Sequence, residues 1–224
     1  TGSATFECSR SCLGYSFRSG EEVTTLIVNA VPVTMYLALG AFTLWMVVGI
    51  SAGIVAAKHQ GKWQDRTIMG IALVGYSLPV FFVGLLLLIF AIVRWNVLPY
   101  PDYEPPFEDP VAFFQTMLLP WVTLAILYSA YYARLTRSQI LETMGEDYIR
   151  TARAKGLSER VVFRKHAFRA GLTPIVTSAG LDLAGLLGGA IITEYIFSLP
   201  GLGRVAIGAV TDYDLPTITA AVLV

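Results

Sequence analysis

Apolar residues in this chain fall in long, nearly unbroken runs with short polar intervals between them. The clearest run covers residues 33–57, about 25 residues and enough to cross a bilayer as a helix. Further spans are predicted over 67–93, 116–133 and 174–193, and Pro216 opens another that runs from 216 to 224 onward. These runs predict an all-α integral membrane protein with four complete spans plus the start of another. An extracytoplasmic segment over 1–22 precedes a transmembrane domain over 23–224.

Prolines punctuate the runs. Residues 23–30 read as a short interfacial helix, with Pro32 opening the first span and Pro174 restarting the fourth. Pro120 bends the third span. Tyr76-Ser77-Leu78-Pro79 divides the second, because Pro79 removes a backbone donor and its neighbours must compensate. The break is either a packing kink or a flexible wall of a pathway to which Tyr76 and Ser77 offer polar groups. Gly40, Gly49 and Gly53 would let another helix come close to the first span.

Only 14% of the residues are charged, against about 25% in a soluble domain. The balance of 16 basic and 16 acidic residues hides a segregation. Twelve of the Lys and Arg lie on two loops: Lys58, Lys62 and Arg66 on one, and Arg134, Arg137 and seven more between 150 and 169 on the other. The remaining intervals, including the outer loop 94–109 and the outer segment 194–214, are acidic. The positive-inside rule then places the amino end outside and the first loop inside. Cys8 and Cys12 fall on the outer side, where a C-x3-C pair can form a small disulfide or remain two thiols.

Asp182 is the only acid placed at membrane depth, which makes it costly and a functional candidate; a structural hydrogen bond in the bundle would serve equally. Tyr131 and Tyr132 read as an interfacial belt. No G-x-x-x-x-G-K-[ST] phosphate loop occurs, so ATP hydrolysis by this chain is not expected. His59 and His166 both fall on the cytoplasmic side, leaving no imidazole site for a metal in the pathway. With no paired ionisable groups at depth, the chain is not expected to be an enzyme by itself.

The segment 147–170, DYIRTARAKGLSERVVFRKHAFRA, is the most informative. Tyr148, Ile149 and Ala152 lie at helical spacing, Gly156 interrupts, and Ser158 is placed to cap a second helix. A strongly basic segment of this kind either rests on anionic lipid or is gripped by a protein. The Gly-centred two-helix layout favours gripping.

This segment resembles the cytoplasmic coupling loop (the EAA loop) of the membrane subunits of binding-protein-dependent ABC importers. That family's pattern is Glu-Ala-Ala, three residues, Gly, nine residues, then Ile-x-Leu-Pro. Aligned on Gly156, the positions become Arg150-Thr151-Ala152, Gly156 and His166-x-Phe168-Arg169. Ala152 and Gly156 match and Phe168 is a hydrophobic substitute, while the leading Glu and closing Pro are absent. The run from Tyr148 to Ser158 is similar to the form in the dipeptide/oligopeptide/nickel permease branch, as are Leu13 to Phe17 and Ser198 to Arg204.

The resemblance implies the type I ABC importer transmembrane fold and a permease subunit translocating di- or oligopeptides across a bacterial or archaeal cytoplasmic membrane. It implies a second permease subunit (a paralogue), two cytoplasmic ATPase subunits that bind ATP and Mg, and an extracytoplasmic substrate-binding protein. It assigns ATPase coupling, within a coupling loop over 134–173, to Arg150, Thr151, Ala152, Arg153, Lys155, Gly156, Leu157, Val161 and Phe168. Arg153 and Lys155 would pair with acidic rims of the ATPase. The family's usual six spans imply one missing before Thr1 and an incomplete last one. Alternatives are nickel or haem as cargo, an ion-coupled secondary transporter using Asp182, and a membrane scaffold without transport.

Overall fold

A computed structural model of the chain describes residues 13–187 and 190–223. Among them the regular structure is helical, with one isolated bridge between Tyr15 and Glu22. The helices are α1 (Val23–Lys58), α2 (Trp63–Ser77), α3 (Val80–Leu88, continued by a π-helical turn Ile89–Arg94), α4 (Pro110–Met144) and α5 (Asp147–Ala154). They continue with α6 (Glu159–Val161), a π-helical turn Val162–Ala167, α7 (Phe168–Leu187), α8 (Ile191–Ile196), α9 (Leu202–Thr211) and α10 (Leu215–Leu223). Among the described residues, three helical stretches are long and apolar enough to cross a membrane: Val23–Lys58, Pro110–Met144 and Glu159–Leu187. Trp63–Ser77 and Val80–Arg94 make a fourth if that pair, bent by 96°, is one span.

Two prolines act differently from expectation. Pro32 and Pro174 lie inside α1 and α7 rather than at the start of a helix. Each removes one backbone donor from an otherwise complete ladder, a loss that a long apolar helix tolerates. Pro79 behaves as expected, standing in the break between α2 and α3. The run 174–193 is not one helix. Helix α7 ends at Leu187 and helix resumes at Ile191.

The chain divides into two compact units. The first holds residues up to 38, 84–120 and 185 onward. Its core joins Val23, Ile27 and Ala30, on one face of α1, to Leu202 of α9 and Ala220 of α10. Asp109 accepts hydrogen bonds from the Val111 and Ala112 amides at 2.9 and 3.1 Å, and Pro110 occupies the first turn of α4, so this helix start is fixed locally.

Glu194, read from the sequence as part of the acidic outer segment 194–214, is fully buried in this unit. Thr34 donates to its Oε1 at 2.7 Å and the Arg204 amide to its Oε2 at 3.1 Å. The Thr34 hydroxyl in turn accepts the Leu202 amide at 2.9 Å. The carboxylate thus caps the amino end of the ten-residue helix α9, where orphan amides and the helix dipole favour an anion. Its room comes from glycine: a Cβ on Gly201 would stand 2.5 Å from Oε2.

Asp214 ties the first described residues to α10. It accepts the Phe17 amide at 3.1 Å and the Thr217 hydroxyl at 2.7 Å. Burial pushes its carboxyl up, but hydrogen bonds from Ser16, Thr217 and the Phe17 amide outweigh that and hold it below the ordinary range.

The second unit holds residues 39–83 and 121–184. Here α1 and α4 approach closely at glycine. A Cβ on Gly49 would lie 2.7 Å from the Tyr132 Cβ, one on Gly53 2.5 Å from the Thr136 Cβ, and one on Gly40 would clash with the Trp121 ring. Trp45 is buried against α4, stacked on Tyr128 at 4.4 Å. Asp65, at the start of α2, is buried and meets Arg137 of α4 in a two-pronged pair at 2.5 and 2.8 Å. It also accepts the Gly61 amide at 2.9 Å.

Two outcomes follow from this packing. Gly53→Leu overfills the α1–α4 contact and should lower stability in mild detergent by about 2 kcal/mol. Gly180→Ala, in the interior of α7 with nothing within 4 Å of the added carbon, should instead raise stability by about 0.5–1 kcal/mol through helix propensity. For Asp214, a depressed carboxyl contributes stability above its unfolded value of about 3.9 and loses it as pH falls through the lower folded value. The tie between residues 16–17 and α10 should therefore hold at pH 5 and release below about pH 4. Limited proteolysis near Phe17 across that range measures it, and Asp214→Asn should be cut equally at both pH values.

Candidate functional site

In the basic segment, α5 ends in a left-handed turn at Gly156, φ +78°. The Gly156 amide donates to the Arg153 carbonyl at 2.9 Å and the Leu157 amide to the Ala152 carbonyl at 3.4 Å, the paired bonds of a Schellman cap. The reversal folds α5 back on the root of α7. Ile149 and Ala152 of α5, with Val162 and Ala167 of the π-helical turn, form a small buried core against which Met144 packs. Ser158 holds the backbone position of a helix cap, yet its side chain makes no capping bond. The sequence expectation of a hydroxyl cap is not met.

Arg153 clasps the turn. Its Nε donates to Glu159 Oε1 at 2.7 Å and its Nη2 to Oε2 at 3.2 Å, bridging α5 and α6 across Gly156. The Glu159 carboxylate beside it raises the Arg153 guanidinium further above its already high range. This guanidinium, which the sequence reading offered to a partner, is engaged within the chain. Ala152 points into the elbow core, whereas Arg150, Thr151, Lys155, Gly156, Leu157 and Val161 are exposed and Phe168 is half-buried. The Phe168 ring stacks on Phe163 at 6.5 Å, and the Lys58 ammonium stands 4.8 Å over Phe163. A cleft of about 830 Å³ opens beside the elbow, with Ile140, Leu141 and Met144 on its apolar side and Lys58, Arg160 and Arg164 among its cations.

Of the four pathway candidates, the structure brings two together. Tyr76 and Asp182 line one cavity of about 210 Å³ with Leu127, Tyr128 and Tyr131. The Tyr132 hydroxyl donates to Asp182 Oδ2 at 2.5 Å. Tyr132 is fully buried and also stacks near Trp45 at 6.4 Å, so it is a core residue rather than part of an interfacial belt. Ser77 and Pro79 do not line this cavity, and the Ser77 hydroxyl turns back to the Leu73 carbonyl at 2.7 Å. An adjoining cavity of about 440 Å³ shares Tyr76 and Tyr131 and contains Arg134. Tyr128, Tyr131 and Arg134 recur every third residue on α4, a periodic signal that sequence reading passed over. Cys8 and Cys12 lie outside the described residues.

Residues 49–224 match the family model described as "binding-protein-dependent transport system inner membrane component". The dipeptide transport system permease protein DppB of Escherichia coli (strain K12) is 39% identical over 237 residues, covering 94% of this chain and 69% of its own. A protein of Brucella abortus (strain 2308), named as a peptide transport system permease protein, is 41% identical over 211 residues, covering 94% of this chain and 67% of its own. Among solved structures, the inward-facing MetNI methionine ABC transporter superposes with a TM-score of 0.68 at 18% identity, covering 89% of this chain and 88% of that one. An amino acid ABC transporter crystallised with histidines gives 0.67 at 19% identity, with 89% and 86% covered. The fold is that of the membrane subunits of type I ABC importers. By its match over most of its length and its identity to these relatives, the chain belongs to the binding-protein-dependent transport system inner membrane component family.

Proposed function

We propose that this chain is a permease subunit of an ATP-driven importer of di- or oligopeptides, coupled to separate ATPase subunits through the elbow at residues 147–168. The single observation that carries the coupling is the elbow itself: a small, self-packed element that presents Tyr148, Leu157 and Val161 outward while its own apolar face is already buried. A partner's surface gains from covering exposed apolar side chains held in a fixed frame, because little ordering remains to be done on binding. The names of the relatives support peptides as cargo, and family membership favours the ATP-driven reading over an ion-coupled one.

In this account the elbow faces the cytoplasm, where the basic intervals place it. ATP-driven closure of two ATPase subunits moves it as one body with the root of α7, and the spans change between two packings. The partners are a second permease subunit and a binding protein that delivers the peptide outside. Tyr76, Tyr128, Tyr131 and Asp182 belong to the wall of the pathway. ATP is bound and hydrolysed by the ATPase subunits.

Gly156 separates this account from a purely structural one. An added Cβ there meets nothing within 4 Å, so within this chain Gly156→Glu costs only the backbone preference, about 1–2 kcal/mol. Peptide uptake should nevertheless fall at least about tenfold while the melting temperature of the purified complex changes little. Uptake at the parent rate would remove the coupling role. The clasp offers a second check: Arg153→Glu should slow uptake, and exchanging the two charges (Arg153→Glu with Glu159→Arg) should recover most of the loss.

A further inference from the structure

The two cavities on α4 carry opposite formal charges. Asp182 in the smaller one makes no ion pair among the described residues; Tyr132 is its recorded hydrogen-bond donor. A carboxylate has about four acceptor sites, so one hydroxyl leaves most of them open. The Tyr76, Tyr128 and Tyr131 rings around it add faces that attract a cation. Arg134 in the larger cavity likewise makes no ion pair among the described residues, its guanidinium lying 5.8 Å from the Tyr76 ring centre. The neighbouring Arg137 is already committed to Asp65. Each cavity therefore holds one uncompensated charge, and Tyr76 and Tyr131, stacked at 6.3 Å, form the wall common to both.

The spacing limits what fits. Tyr128, in the lining of the smaller cavity, and Arg134, in that of the larger, are six residues apart on one helix, a rise of about 9 Å. An extended peptide of two or three residues spans roughly 7–11 Å. A single carboxylate with no cluster of three metal-ligating side chains among the described residues suits an organic ammonium better than a metal ion. We propose that Asp182 receives the free ammonium and Arg134 the free carboxylate of a two- or three-residue peptide lying along the Tyr76–Tyr131 wall. This rests on the importer reading and adds to it the assignment of each terminus to a residue of this chain.

The test uses the whole transporter, purified with its partner permease and ATPase subunits and without the binding protein. Equilibrium binding of labelled Ala-Phe is compared with its N-acetyl and C-amide forms. The parent complex should prefer the free amine over the acetyl form and the free acid over the amide, each by about tenfold or more. Asp182→Asn should lose the first preference and keep the second; Arg134→Gln should do the reverse. Asp182→Glu and Arg134→Lys, which keep the charges, should retain both preferences, and they stand in where a neutral variant does not assemble. Absence of both preferences in the parent, or their survival in both neutral variants, overturns the assignment. Failure of the importer reading looks different: no ATPase co-purifies, or ATP drives no uptake in the parent complex.

Discussion

At Gly156 the backbone takes up φ +78°, and the two amides that close the end of α5 reach their carbonyls because it does. A residue with a Cβ adopts that conformation at a cost, and glycine adopts it freely. Much else follows from the reversal. It returns the chain onto α5, brings Val162 and Ala167 against Ile149 and Ala152, and puts Glu159 where Arg153 can clasp it. An isolated helix of eight residues has too few hydrogen bonds to offset its nucleation, so α5 owes its shape to this packing. Because the core includes the π-helical turn at the base of α7, the elbow cannot shift without that base. The helix then runs about 30 Å from Val162 to Asp182, which links the elbow to the aromatic cavity through a single rod.

The remaining polar groups follow one rule: a charge removed from water must meet donors or an opposite charge. Asp65 meets Arg137 and an amide, and its carboxylate is two-pronged on the guanidinium. Glu194 pairs with no cation among the described residues and instead gathers a hydroxyl and the amides at the start of α9. Both arrangements are satisfied, and removing Arg137 would leave the Asp65 carboxylate without its cation. Asp182 is different. Its one recorded bond leaves acceptor capacity facing a cavity, which is why it remains a candidate for recognition and not only for packing.

The helical, apolar character of the chain and the reversal of the elbow were legible in the sequence because each has a local cause, whereas the break after Leu187 in the run 174–193 was not. Long apolar runs give helices, and a glycine within a basic amphipathic segment gives a reversal. The close glycine contacts of α1 were legible for the same reason. Continuity through Pro32 and Pro174 was not, since a proline that opens a helix and one buried in a longer helix look alike in a single sequence. Pairings distant in the chain were also hidden. Nothing local marks Asp65, while Glu194 reads as part of an outer segment and Tyr132 as an interfacial ring. Their partners lie 72, 160 and 50 residues away. The inward turn of Ala152 was partly legible, because it shares a helical face with Ile149.

The central claim is that the outer surface of the elbow is gripped by an ATPase subunit, and site-specific photo-crosslinking in native membranes tests it most directly. A photoreactive phenylalanine analogue replaces Leu157, with Phe17, in the segment that the charge pattern puts outside, as the control position. The account predicts that Leu157 captures a single partner, identified by its peptides as an ATP-binding subunit, with a yield that changes when ATP is added, and that Phe17 never captures it. Capture of lipid alone from Leu157, or of the ATPase equally from both positions, would contradict it.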